Sequence, residues 1–207
     1  MTKVIADISM SLDGFVTGPD PDLEHGLGRG GEALHTWAVQ STSDVDATVL
    51  RQAVEATGAL VMGRRLFDFV DGPHGWSQDM GYGARHAALP PVFVVTHRAP
   101  ETARLGPRFA FVTGGLAAAI EQARAAAGPK DVFVMGGGDV VRQCVAAGLA
   151  DELKIHLAPV VLGSGTPLFT GSDPIPLVQR SVQPSPTAAH LTYELKAAQA
   201  RETQTSS

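Results

Sequence analysis

Short apolar runs rich in β-branched residues alternate with segments of helical periodicity through most of this 207-residue chain. Strands that alternate with helices build a parallel sheet whose faces the helices cover, so this alternation constrains the fold more than any other feature. The last two apolar runs are joined through a Pro-Ser-Pro segment, which predicts an antiparallel pair. We therefore predict one α/β domain, a mixed β-sheet flanked by helices. The predicted strands are residues 4–10, 59–62, 91–96, 109–113, 131–135, 152–162, 177–182 and 188–195.

Polar residues and glycines mark the ends of the predicted helices. Residues 32–40 form a short helical segment, and Ser43 with Asp46 forms a capping pair at the start of the next helix. Gly58 is well placed to end that helix. Farther along the chain, Asp139 is expected to cap the helix that follows a run of three glycines.

Two long segments, residues 17–31 and 71–90, are rich in Gly and Pro and are predicted to be loops. Loops of this length often carry function, so both are candidate lids over a binding site. No change in composition divides the chain. We assign residues 1–198 to one domain and residues 199–207 to a polar, disordered tail.

Charge and composition exclude several functional classes. Lys and Arg number 16 against 21 Asp and Glu, and the resulting net charge of −5 lacks the positive field that nucleic-acid binding requires. Residues 155–172 carry no Asp, Glu, Lys or Arg, but Pro and Gly interrupt them too often for a membrane span. The first residues contain no basic-then-apolar run, so we expect no secretory signal, and one cysteine, Cys144, allows no intrachain disulfide. We expect a cytoplasmic protein with a small-molecule substrate.

The run Gly136-Gly137-Gly138 lies between a predicted strand and a predicted helix. Residues without side chains let the backbone approach a diphosphate, and the N-terminal end of a helix stabilises its charge. The run is neither a GxGxxG motif nor a phosphate-binding loop ending in Gly-Lys-Ser/Thr. A tight turn needed only for packing explains the same residues, so both interpretations stay open.

Two basic pairs directly follow separate predicted strands: Arg64-Arg65 and His97-Arg98. In open α/β sheets ligands bind at the carboxyl ends of strands, and the planar guanidinium group matches phosphate oxygens in charge and geometry. The two pairs therefore favour NADP over NAD. The alternative is that both are solvated surface pairs.

Ser11, Leu12 and Asp13 follow the first predicted strand. A carboxylate at this point could supply a proton near a site of reduction, provided that burial raises its pKa. The alternative is that Asp13 only forms an Asp-Gly turn. Trp37 is a candidate wall of the substrate pocket, and core packing is the alternative for this ring.

Other chemistries have little support in the sequence. The seven histidines are scattered without the spacing of metal ligands, so we expect no metal. No GxSxG motif is present to supply a nucleophilic serine. Cys144 lies on the apolar face of a predicted helix, which is typical of a core thiol.

Five segments, taken in order, resemble the dihydrofolate reductase-like superfamily, and within it the C-terminal reductase domain of the bacterial riboflavin-pathway deaminase/reductase, RibD. The segments are SMSLDGFVTGP, ALVMGRRLFDF, VFVVTHR, VFVMGGGDVV and GLADELKIHLAPVVLGSGTPLF. The resemblance covers residues 3–195. It implies a mixed sheet flanked by helices, NADPH as the hydride donor and a homodimer.

The resemblance also implies roles for individual residues. Ser11, Leu12 and Asp13 would lie where the nicotinamide meets the substrate. The implied cofactor-binding residues are Gly63, Arg64, Arg65, Thr96, His97, Arg98, Gly136, Gly137, Gly138 and Asp139.

Two departures separate this chain from the folate reductases it resembles. Leu66 stands where those enzymes usually have Thr, and residues 35–37 offer no pterin-binding carboxylate. We therefore do not expect folate reduction. We predict an NADPH-dependent reductase of a small polar heterocycle, pyrimidine- or pterin-like. The alternative is an NADP(H)-binding module, a sensor or scaffold, without turnover.

Overall fold

The structure, a computed structural model, describes residues 2–77, 80–84, 89–171 and 173–195. The predicted tail at 199–207 and parts of the predicted loop at 71–90 lie outside the described residues. The strands are β1 (Val4–Ser11), β2 (Phe15–Thr17), β3 (Thr57–Gly63), β4 (Val92–Val95), β5 (Phe109–Val112), β6 (Asp131–Val134), β7 (Glu152–Ala158), β8 (Thr166–Pro167), β9 (Leu177–Pro184) and β10 (Ala189–Leu195).

The main sheet has eight strands in the order β5-β4-β3-β6-β1-β7-β10-β9. The first six strands of this order run parallel, while β10 is antiparallel to both β7 and β9. The predicted mixed sheet with a closing hairpin is therefore confirmed. Strands β2 and β8 form a separate antiparallel pair beside it.

The helices cover both faces of the sheet. They are α1 (Thr36–Val39), α2 (Asp44–Ala56), α3 (Arg64–Val70), α4 (Gly115–Ala127) and α5 (Gly138–Ala146). Apolar residues of α4 and α5 pack on one face, and those of α2 and α3 pack on the other around the buried ring of Phe133. Each fully buried side chain of this size contributes roughly 1.5–3 kcal/mol, so the two apolar layers hold the sheet in place.

The segment predicted as one short helix over residues 32–40 is divided. Residues Gly31–His35 form a 3₁₀ helix, and α1 continues from Thr36. Leu34 of the 3₁₀ helix and Trp37 of α1 are both buried.

The capping prediction for α2 is half right. The hydroxyl of Ser43 accepts a hydrogen bond from the backbone N–H of Val45 at 3.3 Å, as an N-cap does. Asp46 does not complete the predicted pair, because its side chain is buried and binds Ser41, Thr187 and His190 instead.

Gly58 does not end α2 as predicted, since the helix ends at Ala56 and Gly58 lies within β3. A Cβ atom on Gly58 would lie 2.4 Å from the carbonyl oxygen of Ala127 at the end of α4. The glycine is therefore required by close approach of α4 to the strand. The predicted strand over 152–162 is also shorter, because β7 ends at Ala158.

Cys144 is buried against the apolar layer of α5, which confirms it as a core thiol. Burial raises the pKa of this thiol to about 12. No helix in the described ranges is both long and apolar enough to cross a membrane.

Candidate functional site

The carboxyl ends of β4, β3, β6 and β1 lie side by side, because these strands are parallel neighbours in the sheet. Ser11 ends β1 and Gly63 ends β3, while Thr96 and Gly136 follow β4 and β6 closely. The fold thus brings predicted site residues from four separate segments to one edge of the sheet. Ligands of open α/β sheets bind at such an edge.

The glycines of this edge are in direct contact. The backbone N–H of Gly63 donates to the carbonyl oxygen of Gly136 at 2.8 Å. A Cβ atom on Gly63 would lie 2.8 Å from Val140 Cγ2, and one on Gly138 would be equally crowded, with its nearest neighbour at 2.7 Å. At Gly137, in contrast, nothing lies within 4 Å of the Cβ position. The backbone of Gly137 is therefore open to an approaching group.

Helix α5 begins at this edge, with Gly137 as its N-cap residue and no side-chain cap. The prediction that Asp139 caps the helix is wrong, because the Asp139 carboxylate instead pairs with Arg142 one turn along the helix. The positive end of the helix dipole therefore lies beside the glycine turn. This arrangement stabilises bound anions.

The predicted basic residues also converge. Arg64 donates from Nη1 to the carbonyl oxygen of Arg98 at 2.7 Å, and its Nε donates to Asp68 at 2.7 Å. The hydroxyl of Thr96 donates to the same Arg98 carbonyl at 2.8 Å. Arg64 therefore fixes the turn after β4. The side chains of Arg65, His97 and Arg98 are exposed around it.

Asp13 does not have the raised pKa that the proton-donor prediction required. Its carboxylate accepts hydrogen bonds from the Ser11 hydroxyl at 2.6 Å and from the backbone N–H groups of Leu162 and Gly163 at 3.1 and 2.7 Å. The Ser11 hydroxyl first, and then these amides, lower the pKa of Asp13 from 3.8 to about 2. The carboxylate is exposed and fastens the loop after β7 to the end of β1.

The two apolar residues predicted to meet the substrate lie in different surroundings. Leu12 is 65% exposed at the carboxyl end of β1. Trp37 is buried, its Nε1 donates to the hydroxyl of Ser9 at 2.9 Å, and its ring lies 4.0 Å from that of His156. Trp37 therefore packs against Ser9, which lies two residues before Ser11 in β1 and so deeper in the sheet than its carboxyl edge.

A chain of four side chains was missed from the sequence. Asp7 Oδ1 lies 3.0 Å from Nε2 of His156, the two Nδ1 atoms of His156 and His190 are 2.7 Å apart, and Nε2 of His190 lies 2.7 Å from Asp46 Oδ1. Both histidines are buried, on β7 and β10. Only the register of these strands, which pairs His190 with His156, brings the rings together. In the sequence, the one local sign of this group was Asp7, an acid inside the first apolar run.

Both carboxylates of this group of four side chains remain acidic, although Asp46 is buried and Asp7 is half-buried. Burial by itself raises the pKa of Asp7, but the charge and hydrogen bond of His156 outweigh it and the net shift is downward. Burial opposes ionisation of Asp46 in the same way, and hydrogen bonds from Ser185, Ser41, Thr187 and His190 lower its pKa well below its usual range. Burial lowers the pKa of His190, partly offset by Asp46.

A cavity of about 190 Å³ borders this chain of side chains. Its walls include Asp7, His156 and His190, together with Gln52 of α2 and Lys154 of β7. Within the described ranges, no group of three or more His, Cys, Asp or Glu side chains could hold a metal ion.

The sequence model of one protein family, described as the RibD C-terminal domain, matches residues 2–191. The chain belongs to this family. The observed sheet, with its helices and its antiparallel hairpin, is also the fold of solved structures named as a putative riboflavin biosynthesis protein and as a deaminase/reductase.

Three known proteins are similar to this chain. The uncharacterised protein YyaP of Bacillus subtilis is 21% identical over 173 residues, which cover 81% of this chain and 80% of YyaP. A putative riboflavin biosynthesis protein from Shewanella sp. PV-4 has a TM-score of 0.68 and 23% identity, with 94% of this chain and 99% of that chain covered.

The third relative is a larger protein. The diaminohydroxyphosphoribosylaminopyrimidine deaminase/5-amino-6-(5-phosphoribosylamino)uracil reductase of Thermotoga maritima has a TM-score of 0.60 and 14% identity. The match covers 94% of this chain and 57% of that one. These likenesses establish a fold of the riboflavin-pathway reductase type.

Proposed function

We propose that the protein is an NADPH-dependent reductase of a small, pyrimidine-like heterocycle. The observation that carries this proposal is the meeting of two groups at one sheet edge. The glycine turn, joined to Gly63 through the carbonyl of Gly136, lies beside the basic turn that Arg64 joins to Arg98. A surface that offers a bare backbone, a helix N-terminus and exposed cations suits a phosphorylated dinucleotide.

The residues present fit that cofactor. The open space at Gly137 lets a diphosphate reach the backbone at the start of α5. Exposed Arg65, His97 and Arg98 supply positive or titratable groups for a further phosphate beyond it. Bound NADPH would supply the hydride. The chain itself must bind and orient the dinucleotide, exclude water and provide a proton.

The substrate class rests on the family. The Thermotoga relative is named as a reductase of 5-amino-6-(5-phosphoribosylamino)uracil, and we propose a compound of this aminopyrimidine class for this chain. The carboxyl end of β1, with Leu12 exposed beside it, would form the substrate side of the cleft.

The deciding experiment is a titration with NADPH followed by a turnover assay. We expect calorimetry to show binding, and absorbance at the nicotinamide band to fall when 5-amino-6-(5-phosphoribosylamino)uracil is added. Gly137→Ala is the diagnostic variant, because its Cβ enters open space and leaves the fold intact. It should weaken NADPH binding about tenfold or more with an unchanged melting temperature. Absence of any NADPH binding to the parent protein would end the proposal.

One observation favours the alternative of a binding module without turnover. Asp13, the predicted proton donor, is held as a carboxylate by its low pKa. NADPH binding without oxidation across aminopyrimidines, pteridines and quinones would establish the module. The homodimer implied by the family forms part of our proposal, and sedimentation equilibrium would test it.

A further inference from the structure

The chain Asp7–His156–His190–Asp46 contains three hydrogen-bonding contacts between four side chains. Each contact needs one hydrogen atom between its two heavy atoms. Two neutral imidazoles carry two N–H hydrogens, and two carboxylates carry none. A third proton is therefore required, or one contact would place two lone pairs against each other.

The position of the third proton follows from the ends of the chain. Asp46 accepts hydrogen bonds from the hydroxyls of Ser41 and Thr187 as well as from His190, so it stays an ionised acceptor. Asp7 also stays ionised beside His156. Each histidine consequently donates its Nε2–H outward to a carboxylate. The additional proton lies between the two Nδ1 atoms, 2.7 Å apart.

Other titratable groups face this pair from the surrounding elements. Lys154 of β7 lines the same cavity as Asp7. His35 of the 3₁₀ helix interacts electrostatically with His156, which lowers the pKa of His35 further after burial. Tyr82 is half-buried, and its pKa is raised by burial and then by Asp7. With two carboxylates and one shared proton, the four side chains together carry a net charge of −1. The positive charge of Lys154 acts on Asp7 and offsets it.

The pair borders a cavity on one side and lies beside Ser9 of β1 on the other. The cavity of about 190 Å³ borders both histidines and Asp7, and it has room for water. On the other side, Ser9 of β1 is the register partner of His156 and shares a face of the strand with Ser11. Trp37 covers His156 and donates to Ser9.

We propose that the His156–His190 pair stores the proton that the reduction consumes, releases it toward the sheet edge through Ser9, and recovers it from water in the cavity. This inference rests on the proposed function. The proposed reaction adds a hydride, with both electrons, to a substrate carbon and leaves NADP⁺. The nitrogen or oxygen bonded to that carbon then takes a proton, and the store supplies it. After release, the lone pairs of the two Nδ1 atoms face each other, and their repulsion favours rapid uptake of a new proton.

The existence of the store is tested without any cofactor. In the proton NMR spectrum of the full chain, we expect one strongly downfield, slowly exchanging resonance from the shared proton. His190→Gln keeps an N–H for Asp46 and removes the ring that shares the proton, so the resonance should disappear. His74→Gln changes an exposed histidine and should leave the resonance in place. A parent spectrum without this resonance between pH 5 and 7 would refute the store.

The role of the store is tested by single-turnover oxidation of NADPH with 5-amino-6-(5-phosphoribosylamino)uracil. His190→Gln should lower the rate about 100-fold or more, as loss of an acid catalyst does, with NADPH affinity unchanged. The rate of the parent protein should fall as pH rises through the pKa of the pair, and the variant should lose this dependence. Equal rates for parent and variant would overturn the inference alone, while an inactive parent would overturn the proposed function.

A second variant keeps the test decisive if His190→Gln does not fold. Ser9→Ala leaves all four side chains of the group in place and removes the proposed exit, together with the acceptor of the Trp37 Nε1–H. The downfield resonance should remain, and the single-turnover rate should fall about tenfold or more. An unchanged rate in Ser9→Ala would refute the route.

Discussion

The carboxylate of Asp13 accepts a hydrogen bond from the backbone N–H of Gly163 at 2.7 Å, across 150 positions of the chain. This contact fastens the loop after β7 to the carboxyl end of β1. It also keeps Asp13 ionised, because the Ser11 hydroxyl and the loop amides all donate to its carboxylate. A group held in this way positions a loop and is a poor source of protons.

Asp13→Asn should loosen that loop. An amide oxygen is a weaker acceptor than a carboxylate, so the amide hydrogens of Leu162 and Gly163 should exchange faster with solvent. Hydrogen exchange followed by NMR measures this directly. Equal protection of both amides in parent and variant would contradict the fastening role.

The same contact predicts a pH dependence. The pKa of Asp13 is lowered from 3.8 to about 2 in the folded protein, so its stabilising contribution is present above pH 3.8 and is lost as pH falls toward 2. Protection of the Gly163 amide should therefore be constant from pH 7 to 4 and decline below it. In Asp13→Asn that decline should be absent.

Ser11→Ala should destabilise the whole domain. The Ser11 hydroxyl is buried, donates to Asp13 and accepts from the backbone N–H of Phe15 at 2.9 Å. Its removal leaves that N–H without its partner, which costs about 1–3 kcal/mol. Urea unfolding measures the loss. A midpoint equal to that of the parent would show that the hydroxyl is dispensable.

Arg64→Ala should weaken NADPH more than NADH, because Arg64 fixes the turn that carries exposed His97 and Arg98. We expect about a tenfold loss for NADPH by calorimetry and a smaller loss for NADH. Arg51→Ala is the matched control, since Arg51 is an exposed arginine of α2 whose Nε lies 4.0 Å from Glu55. Equal losses for both cofactors would remove the phosphate role of this turn.

Gly58→Ala should destabilise the fold by about 1–3 kcal/mol, as overpacking does in other proteins. Its Cβ would meet the Ala127 backbone at 2.4 Å, where no flexible side chain can move aside. Gly114→Ala is the control, because its Cβ would meet only the Cβ of Ala118 at 3.2 Å. Chemical denaturation of the two variants should separate them clearly, and similar midpoints would contradict the close approach of α4.

Cys144 should report unfolding. It is the single cysteine of the chain, it is buried, and its pKa is raised to about 12. Thiol-reactive reagents should therefore leave Cys144 of the native protein unmodified at pH 8 and modify it once denaturant is added. Rapid labelling of the native state would show that α5 opens locally.

The sequence by itself determined the α/β class, the parallel sheet and the closing hairpin. Runs of β-branched residues and segments of helical period are local patterns, and the rules that arrange them are few. The position of the candidate cofactor site was also predictable, because glycines and basic residues directly follow strands. Parallel strands necessarily deliver those residues to one edge.

Tertiary structure decided which partners the polar side chains of the candidate site find across the chain. The pKa of Asp13 is low because the neighbouring Ser11 hydroxyl and then the distant Leu162 and Gly163 amides donate to it, and Asp46 turns inward because Thr187 and His190 surround it. The histidine pair forms only because β10 returns beside β7 in one particular register. A local pattern can bring a residue to one edge of a sheet, but it does not specify which distant side chain or amide will hydrogen-bond to it. Hydrogen bonding and protonation state therefore belong to the folded chain rather than to its sequence.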